Sequence, residues 1–142
     1  MKTFVLAAAA ALVLAGCSSH NQPQAAPSPT PTGPPVAQRY GTVVALKDAA
    51  VQAGFTCPKW VQDNVVQDSA ESGHCADDDV FSTYATSADL QTGADNIKGM
   101  NQMMRDNHLD PGVVLVGPNW IINAPDPDVT RLVKKLGGTV ER

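Results

Sequence analysis

Hydrophobic positions divide the chain into three parts. An unbroken apolar run extends from Phe4 to Ala15 and is followed by a polar, proline-rich stretch that ends at Arg39. From Tyr40 onward, apolar and polar residues alternate with the spacings of regular secondary structure. A bilayer-spanning helix needs about 20 apolar residues, so the first run is too short to be one. It has the size of a signal-peptide apolar region.

Three segments of the third part have helical spacing. The first is 42–53, which Gly54 ends. The second begins at Ser87 as N-cap and continues to about Asn107. The third is 126–136, with Asp126 as N-cap and a proline in the first helical position. Residues predicted for the buried stripe of the second helix are Leu90, Ala94, Ile97, Met100 and Met104.

Short β-rich runs separate these helices. The pattern predicts strands at 65–70, 73–76 and 80–85, followed by a hairpin whose strands are 113–116 and 120–124. The hairpin strands are apolar on both faces, so we expect them to be central or covered. The order of the elements predicts an α+β domain, with a small antiparallel sheet and helices packed on one face.

Residues Leu14-Ala15-Gly16-Cys17 resemble the lipobox of bacterial lipoprotein precursors. The resemblance implies that the Cys17 sulfur carries a lipid and that cleavage makes Cys17 the new N-terminus. The chain would then comprise a signal peptide (1–16), a lipidated cysteine with a stalk (17–39) and one domain (40–142). It would lie on the extracytoplasmic face of the cell membrane, with the membrane as its lipid-bound partner. The alternative is an ordinary secretory signal with a chance cysteine.

The stalk contains six of the eleven prolines, among Ser, Thr, Gln and Ala. Such a composition cannot bury enough apolar surface to fold, so we expect a partly extended spacer. The alternative is a PxxP ligand for an aromatic groove.

Charge and cysteine content indicate which partners and which cross-links to expect in the domain. It contains eight basic residues and all fourteen acidic residues, so its net charge is −6, which argues against nucleic acid as a partner. With Cys17 lipidated, Cys57 and Cys75 remain in an exported chain, and we predict that they form a disulfide. The alternatives are a metal site or a reactive thiol pair, but a structural zinc needs about four ligands and only His74 is near.

The domain also resembles small lipoproteins of actinobacteria and of the phages that infect them. The resemblance is carried by the hairpin sequence from Gly117 to Ile122 and by the Leu136-Gly137-Gly138 helix end. It brings no established activity or catalytic residues. Because some phage-encoded lipoproteins block entry of competing phages, it adds superinfection exclusion as one alternative role.

Two groups of side chains suggest metal chemistry, each with a simpler alternative. Asp77, Asp78 and Asp79 are contiguous, whereas a calcium loop spaces its oxygens alternately, so a solvated turn is the favoured interpretation. Met100, Met104 and His108 share a helical face whose soft ligands would suit Cu(I), which would make the chain a copper-handling lipoprotein. Methionine is also a common core filler, and we favour the core.

Two tryptophans are candidate interaction residues. Trp60 and Trp120 belong to a residue type enriched in interface hot spots, although burial in the core is the alternative. The sequence has no G-x-S-x-G motif and offers no catalytic constellation. We therefore expect a non-enzymatic module without a cofactor, with an envelope protein as its candidate partner.

Overall fold

The computed structural model describes residues 35–142. The predicted signal peptide, Cys17 and most of the predicted stalk lie outside the described residues. The nine elements, in chain order, are α1 (Val43–Gln52), β1 (Val61–Gln62), β2 (Glu71–His74), β3 (Val80–Thr83), α2 (Ser87–Asp106), β4 (Val113–Val116), β5 (Trp120–Ala124), α3 (Asp126–Leu136) and β6 (Thr139–Glu141). None of the three helices within 35–142 has the length and apolar composition needed to cross a membrane.

All six strands join one antiparallel sheet in the order β1-β2-β3-β5-β4-β6. The predicted hairpin is confirmed, because β4 and β5 pair from Val113↔Ala124 to Val116↔Ile121. The Gly117 N–H donates to the Trp120 carbonyl at 2.9 Å and closes the turn. The two strands are central, as their apolar character on both faces indicates.

The α+β class, the antiparallel sheet and the disulfide are confirmed, but the helices are distributed differently from our expectation. Helices α1 and α3 cover one face of the sheet, where Phe81, Leu115 and Ile122 are buried. Helix α2 packs on the opposite face, against Val114 and Ile121. Successive side chains of a strand point to opposite faces, so two strands that are apolar throughout require cover on both sides.

The prediction of a strand at 65–70 is wrong. Residues 65–70 form a loop, and the edge strand β1 lies earlier in the chain. Asn64 and Asp68 have φ angles of 54° and 62°, which interrupt an extended backbone. The Ser72 hydroxyl accepts from the Val66 N–H, so a side chain of β2 holds the loop in place. Strand β6, which pairs with β4, has no counterpart among the predicted elements.

Contacts with the domain begin before Tyr40, inside the predicted stalk. The Trp120 indole N–H donates to the Gln38 carbonyl at 2.9 Å, and the Arg39 guanidinium donates to the Pro118 carbonyl at 3.1 Å. Asn119 binds the Tyr40 backbone twice, accepting from its N–H and donating to its carbonyl. The last residues assigned to the stalk therefore pack on the central hairpin.

Cys57 and Cys75 form the predicted disulfide, with their Cα atoms 4.9 Å apart. Cys75 is buried, whereas Cys57 packs at the margin of the core. The bond joins the segment after α1 to the end of β2.

Candidate functional site

A cleft of about 430 Å³ lies where the chain enters β4, leaves β5 and leaves β6. This volume is within the range of small-ligand sites. Five charged residues line the cleft, which are Asp78, Arg105, Asp110, Asp126 and Arg142. The remaining lining residues are Pro111, Gly112, Val113, Pro125 and Pro127. We call this feature the charged cleft.

Four stretches of the chain supply the charges, and one of them, between the end of α2 and the start of β4, supplies both Arg105 and Asp110. Asp78 comes from the β2–β3 loop, Arg105 from the last turn of α2 and Asp110 from the turn before β4. Asp126 begins α3, and Arg142 follows β6. No local motif links these positions, so a scan along the sequence could not find the cleft.

Gly112 lines the cleft on the side that faces α2. A Cβ atom at this position would lie 2.3 Å from the Asn123 Oδ1 atom, so only glycine fits without displacement. The Asn101 side-chain amide donates to the Gly112 carbonyl at 3.1 Å and ties the turn to α2. Asn101 is 3% exposed, so this tie belongs to the interior.

Only some of the charged residues of the cleft form ion pairs within the described part of the chain. Arg142 forms an ion pair with Asp126 at 3.1 Å. Within residues 35–142, Asp78, Arg105 and Asp110 form no ion pair, and the Arg105 guanidinium donates only to the Gln102 side chain, at 3.2 Å. The cleft thus offers both signs of charge to a ligand. Its lining residues include no hydroxyl, thiol or imidazole group.

Methionines of α2 form a second surface feature. The prediction that Met100 continues the core stripe is wrong, because its side chain is 47% exposed, and Met103 is 60% exposed. Met104 is half-buried. The buried face continues from Ala94 to Asn101 instead, and Met100 lies about 100° around the helix from Asn101. We call Met100, Met103 and Met104 the methionine face.

His108 does not belong to this helical face. Helix α2 ends at Asp106, and His108 has a φ of 59°, so the helical spacing no longer applies to it. The predicted grouping of Met100, Met104 and His108 is replaced by three methionines within five residues.

The two tryptophans have different environments. Trp120 is completely buried, with its ring against Gly117 and 6.1 Å from the Tyr40 ring, so it is a core residue and offers no surface to a partner. Trp60 is half-buried and stacks edge-on against Phe81 at 5.9 Å. Its ring lies over Gly73.

Asp77 and Asp78 are exposed, but Asp79 is only 4% exposed. Its carboxylate accepts from the Cys75 N–H at 2.7 Å, and burial raises the pKa of Asp79 above its usual value. Among residues 35–142, no group of three or more His, Cys, Asp or Glu side chains is arranged to hold a metal ion. The three aspartates therefore form a turn in which one carboxylate is structural.

Beside this turn, the His74 Nδ1 atom lies 3.2 Å from the Asp63 carboxylate. Both side chains are partly exposed. The pair spans the β1–β2 edge of the sheet, at the opposite edge from β6.

Comparison of the chain with protein-family models, curated proteins and solved structures gives no match.

Proposed function

We propose that the chain is a lipid-anchored extracytoplasmic protein whose domain binds an envelope protein through the charged cleft, without catalysis. The lipobox resemblance at Leu14–Cys17 and the proline-rich spacer support the membrane location. The single observation that supports binding is a concave site in which Asp78, Arg105 and Asp110 form no ion pair with any residue of the described part of the chain.

The chemistry of the cleft favours a polypeptide partner. The guanidinium of Arg105 can bind a carboxylate through two parallel hydrogen bonds. Asp78 and Asp110 can bind lysine or arginine side chains of the same partner. Proline and valine in the lining provide apolar contact between these charges. A peptide segment that carries an acid and a base on either side of an apolar residue matches this lining.

Photo-crosslinking in intact cells tests the proposal. A photoreactive amino acid replaces Pro127, which is exposed and lines the cleft, and a control probe replaces Gln67, which is exposed on the 63–70 loop. We expect one envelope-protein adduct from the Pro127 probe and none from the Gln67 probe. Arg105→Gln and Asp110→Asn should each weaken the adduct, because each removes one charge while nearly conserving side-chain size. An adduct that both variants leave unchanged would refute binding through the cleft charges.

A hydrolytic role for the cleft aspartates makes the opposite prediction. The purified full chain would then turn over a wall polysaccharide or an ester, and Asp110→Asn would abolish the turnover. Turnover of that kind would refute the non-enzymatic proposal.

A further inference from the structure

The methionine face is an unusual surface for a helix that is otherwise polar outside its core stripe. Met100 and Met103 are among the most exposed large apolar side chains of residues 35–142. On the same side of α2, a Cβ atom added at Gly99 would have no neighbour within 4 Å, so this side is open. Packing against the sheet does not account for these side chains, because Leu90, Ala94 and Ile97 already provide the apolar contact of α2 with the sheet.

The spacing of the three methionines brings their side chains together. Positions i, i+3 and i+4 of a helix are neighbours on one face, with Cβ atoms about 5–6 Å apart. A methionine side chain has three rotatable bonds, so the thioether sulfur atoms of such a group can converge without movement of the backbone. Met100, Met103 and Met104 satisfy this spacing inside a continuous helix.

We propose that the thioethers of Met100, Met103 and Met104 form a binding site for Cu(I). Thioethers are soft, uncharged ligands that select Cu(I) over harder divalent ions. Zinc prefers thiolate, imidazole and carboxylate ligands, and calcium prefers oxygen. The site therefore takes Cu(I), or Ag(I) as its redox-inert counterpart, and leaves Zn²⁺ and Ca²⁺ unbound.

The site is separate from the charged cleft. Arg105, the cleft residue nearest in sequence, follows Met104 directly, but it lies about 100° further around the helix and lines the cleft. Loss of the Arg105 charge is therefore not expected to abolish copper binding, and failure of either proposal leaves the other standing.

Competition against the bicinchoninate complex of Cu(I) tests the site. The full chain is used with Cys17→Ala, so that no free thiol competes, under anaerobic conditions. We expect one Cu(I) ion per chain. Single Met→Leu variants should weaken the affinity by about tenfold or more, and the triple variant should not compete at all. Leucine conserves the apolar volume, so folding is expected to be retained.

Two controls make the result specific. Leu109→Ala, which removes another exposed apolar side chain near the end of α2, should leave the affinity unchanged. His108→Ala should also leave it unchanged, because the site consists of three sulfur atoms. Retention of Cu(I) by the triple leucine variant, or its loss in His108→Ala alone, would overturn the proposal.

Nuclear magnetic resonance of methyl-labelled methionine gives a direct readout. On addition of Ag(I) to the Cys17→Ala chain, the methyl signals of Met100, Met103 and Met104 should shift together, and Met1, which this uncleaved chain retains, gives an internal reference signal. Unchanged signals at saturating Ag(I) would also overturn the proposal.

Discussion

At the scale of single residues, the role of a side chain depends more on its burial and contacts in the fold than on the residues next to it in the sequence. Asp77, Asp78 and Asp79 look equivalent in the sequence, yet only Asp79 is buried. Its carboxylate accepts from the N–H of Cys75, the residue that follows β2. The sequence predicts a solvated turn there, because contiguous acids give no signal that distinguishes a structural carboxylate from its exposed neighbours.

Asp79 makes stability depend on pH. Burial raises its folded-state pKa above the unfolded value of 3.8, so the folded state binds more protons between these two pKa values. The contribution of Asp79 to the free energy of unfolding therefore falls as pH rises through that window. Asp79→Asn should flatten this slope, because the amide oxygen retains an acceptor without a charge. Urea unfolding from acidic to neutral pH measures the difference.

Asp79→Ala is the matched variant. It leaves the buried Cys75 N–H without a partner, and we expect a loss of about 1–3 kcal/mol, larger at acidic pH, where Asp79 contributes more to the free energy of unfolding, than at neutral pH. An Asp79→Asn variant that retains the pH slope of the unchanged chain would contradict this account.

Some roles of single residues could be predicted from the sequence and others could not. The number of cysteines predicts the Cys57–Cys75 bond, because the expected lipidation of Cys17 would leave a single pair, and the disulfide is confirmed. The apolar stripe predicted for α2 is wrong at Met100, because the buried face of the helix includes the polar residue Asn101 instead. A hydrophobic pattern cannot predict that an asparagine occupies a core position where its amide holds a turn.

At the scale of elements, α2 contains two glycines with opposite consequences. A Cβ atom at Gly99 would meet nothing within 4 Å, whereas a Cβ atom at Gly93 would lie 2.4 Å from the Tyr84 hydroxyl oxygen. Alanine is favoured over glycine inside a helix by about 1 kcal/mol. At Gly99 no neighbouring atom opposes this gain in stability, whereas at Gly93 the clash with Tyr84 opposes it.

Gly99→Ala should therefore stabilise the domain by about 0.5–1 kcal/mol. Gly93→Ala should destabilise it, because Tyr84 must move within a small cluster formed with Ala94, Val114 and Ile121. Thermal and urea unfolding of the two variants test this pair. Equal effects of the same sign would show that helix propensity alone decides.

Elements with dense local signals are predicted well. The β4–β5 hairpin agrees residue by residue, because two apolar runs flank a short Gly-Pro-Asn turn. The 65–70 segment is β-rich in composition, but the positive φ of Asp68 and a hydrogen bond from the Val66 N–H to the Ser72 hydroxyl shape it as a loop. The Ser72 N–H donates to the Asn64 side chain and joins the two ends of this loop. Strand β6 has three residues after two glycines, so its pairing depends on β4 rather than on its own pattern.

At the scale of the whole molecule, the fold class follows from element order, but the layers and the cleft do not. The central strands are apolar on both faces and therefore require cover on both sides, but the order of the elements does not show that α2 covers the second face. The charged cleft depends on four separate stretches of the chain that meet at one end of the sheet. Long-range placement of that kind leaves no local trace in the sequence.

The disulfide stabilises the whole domain chiefly by restricting the unfolded chain. Cys57 and Cys75 are separated by 18 positions, and closing a loop of that size contributes about 3 kcal/mol. We expect the double variant Cys57→Ser and Cys75→Ser to lose roughly this free energy of unfolding while retaining its secondary structure. Urea unfolding with far-ultraviolet circular dichroism tests both points, and an unchanged midpoint would contradict the estimate.

The proposed membrane attachment also concerns the whole chain. If Cys17 carries two acyl chains, each buried CH₂ group contributes about 0.8 kcal/mol to membrane binding. Cys17→Ala should then prevent lipidation and the cleavage that follows it, and should abolish metabolic labelling with a fatty acid. Labelling that persists in the variant would refute the lipidation proposal. Thiol labelling of the variant checks folding, because Cys57 and Cys75 should stay blocked.

The junction between residues 37–40 and the central hairpin has a mechanical consequence. If Cys17 carries the proposed lipid anchor, a bound partner that moves away pulls on the domain through its N-terminal segment. That tension enters the sheet through the Gln38–Trp120, Arg39–Pro118 and Tyr40–Asn119 hydrogen bonds, all of them at the β4–β5 turn. The load thus reaches the two central strands directly and does not peel an edge strand from the sheet.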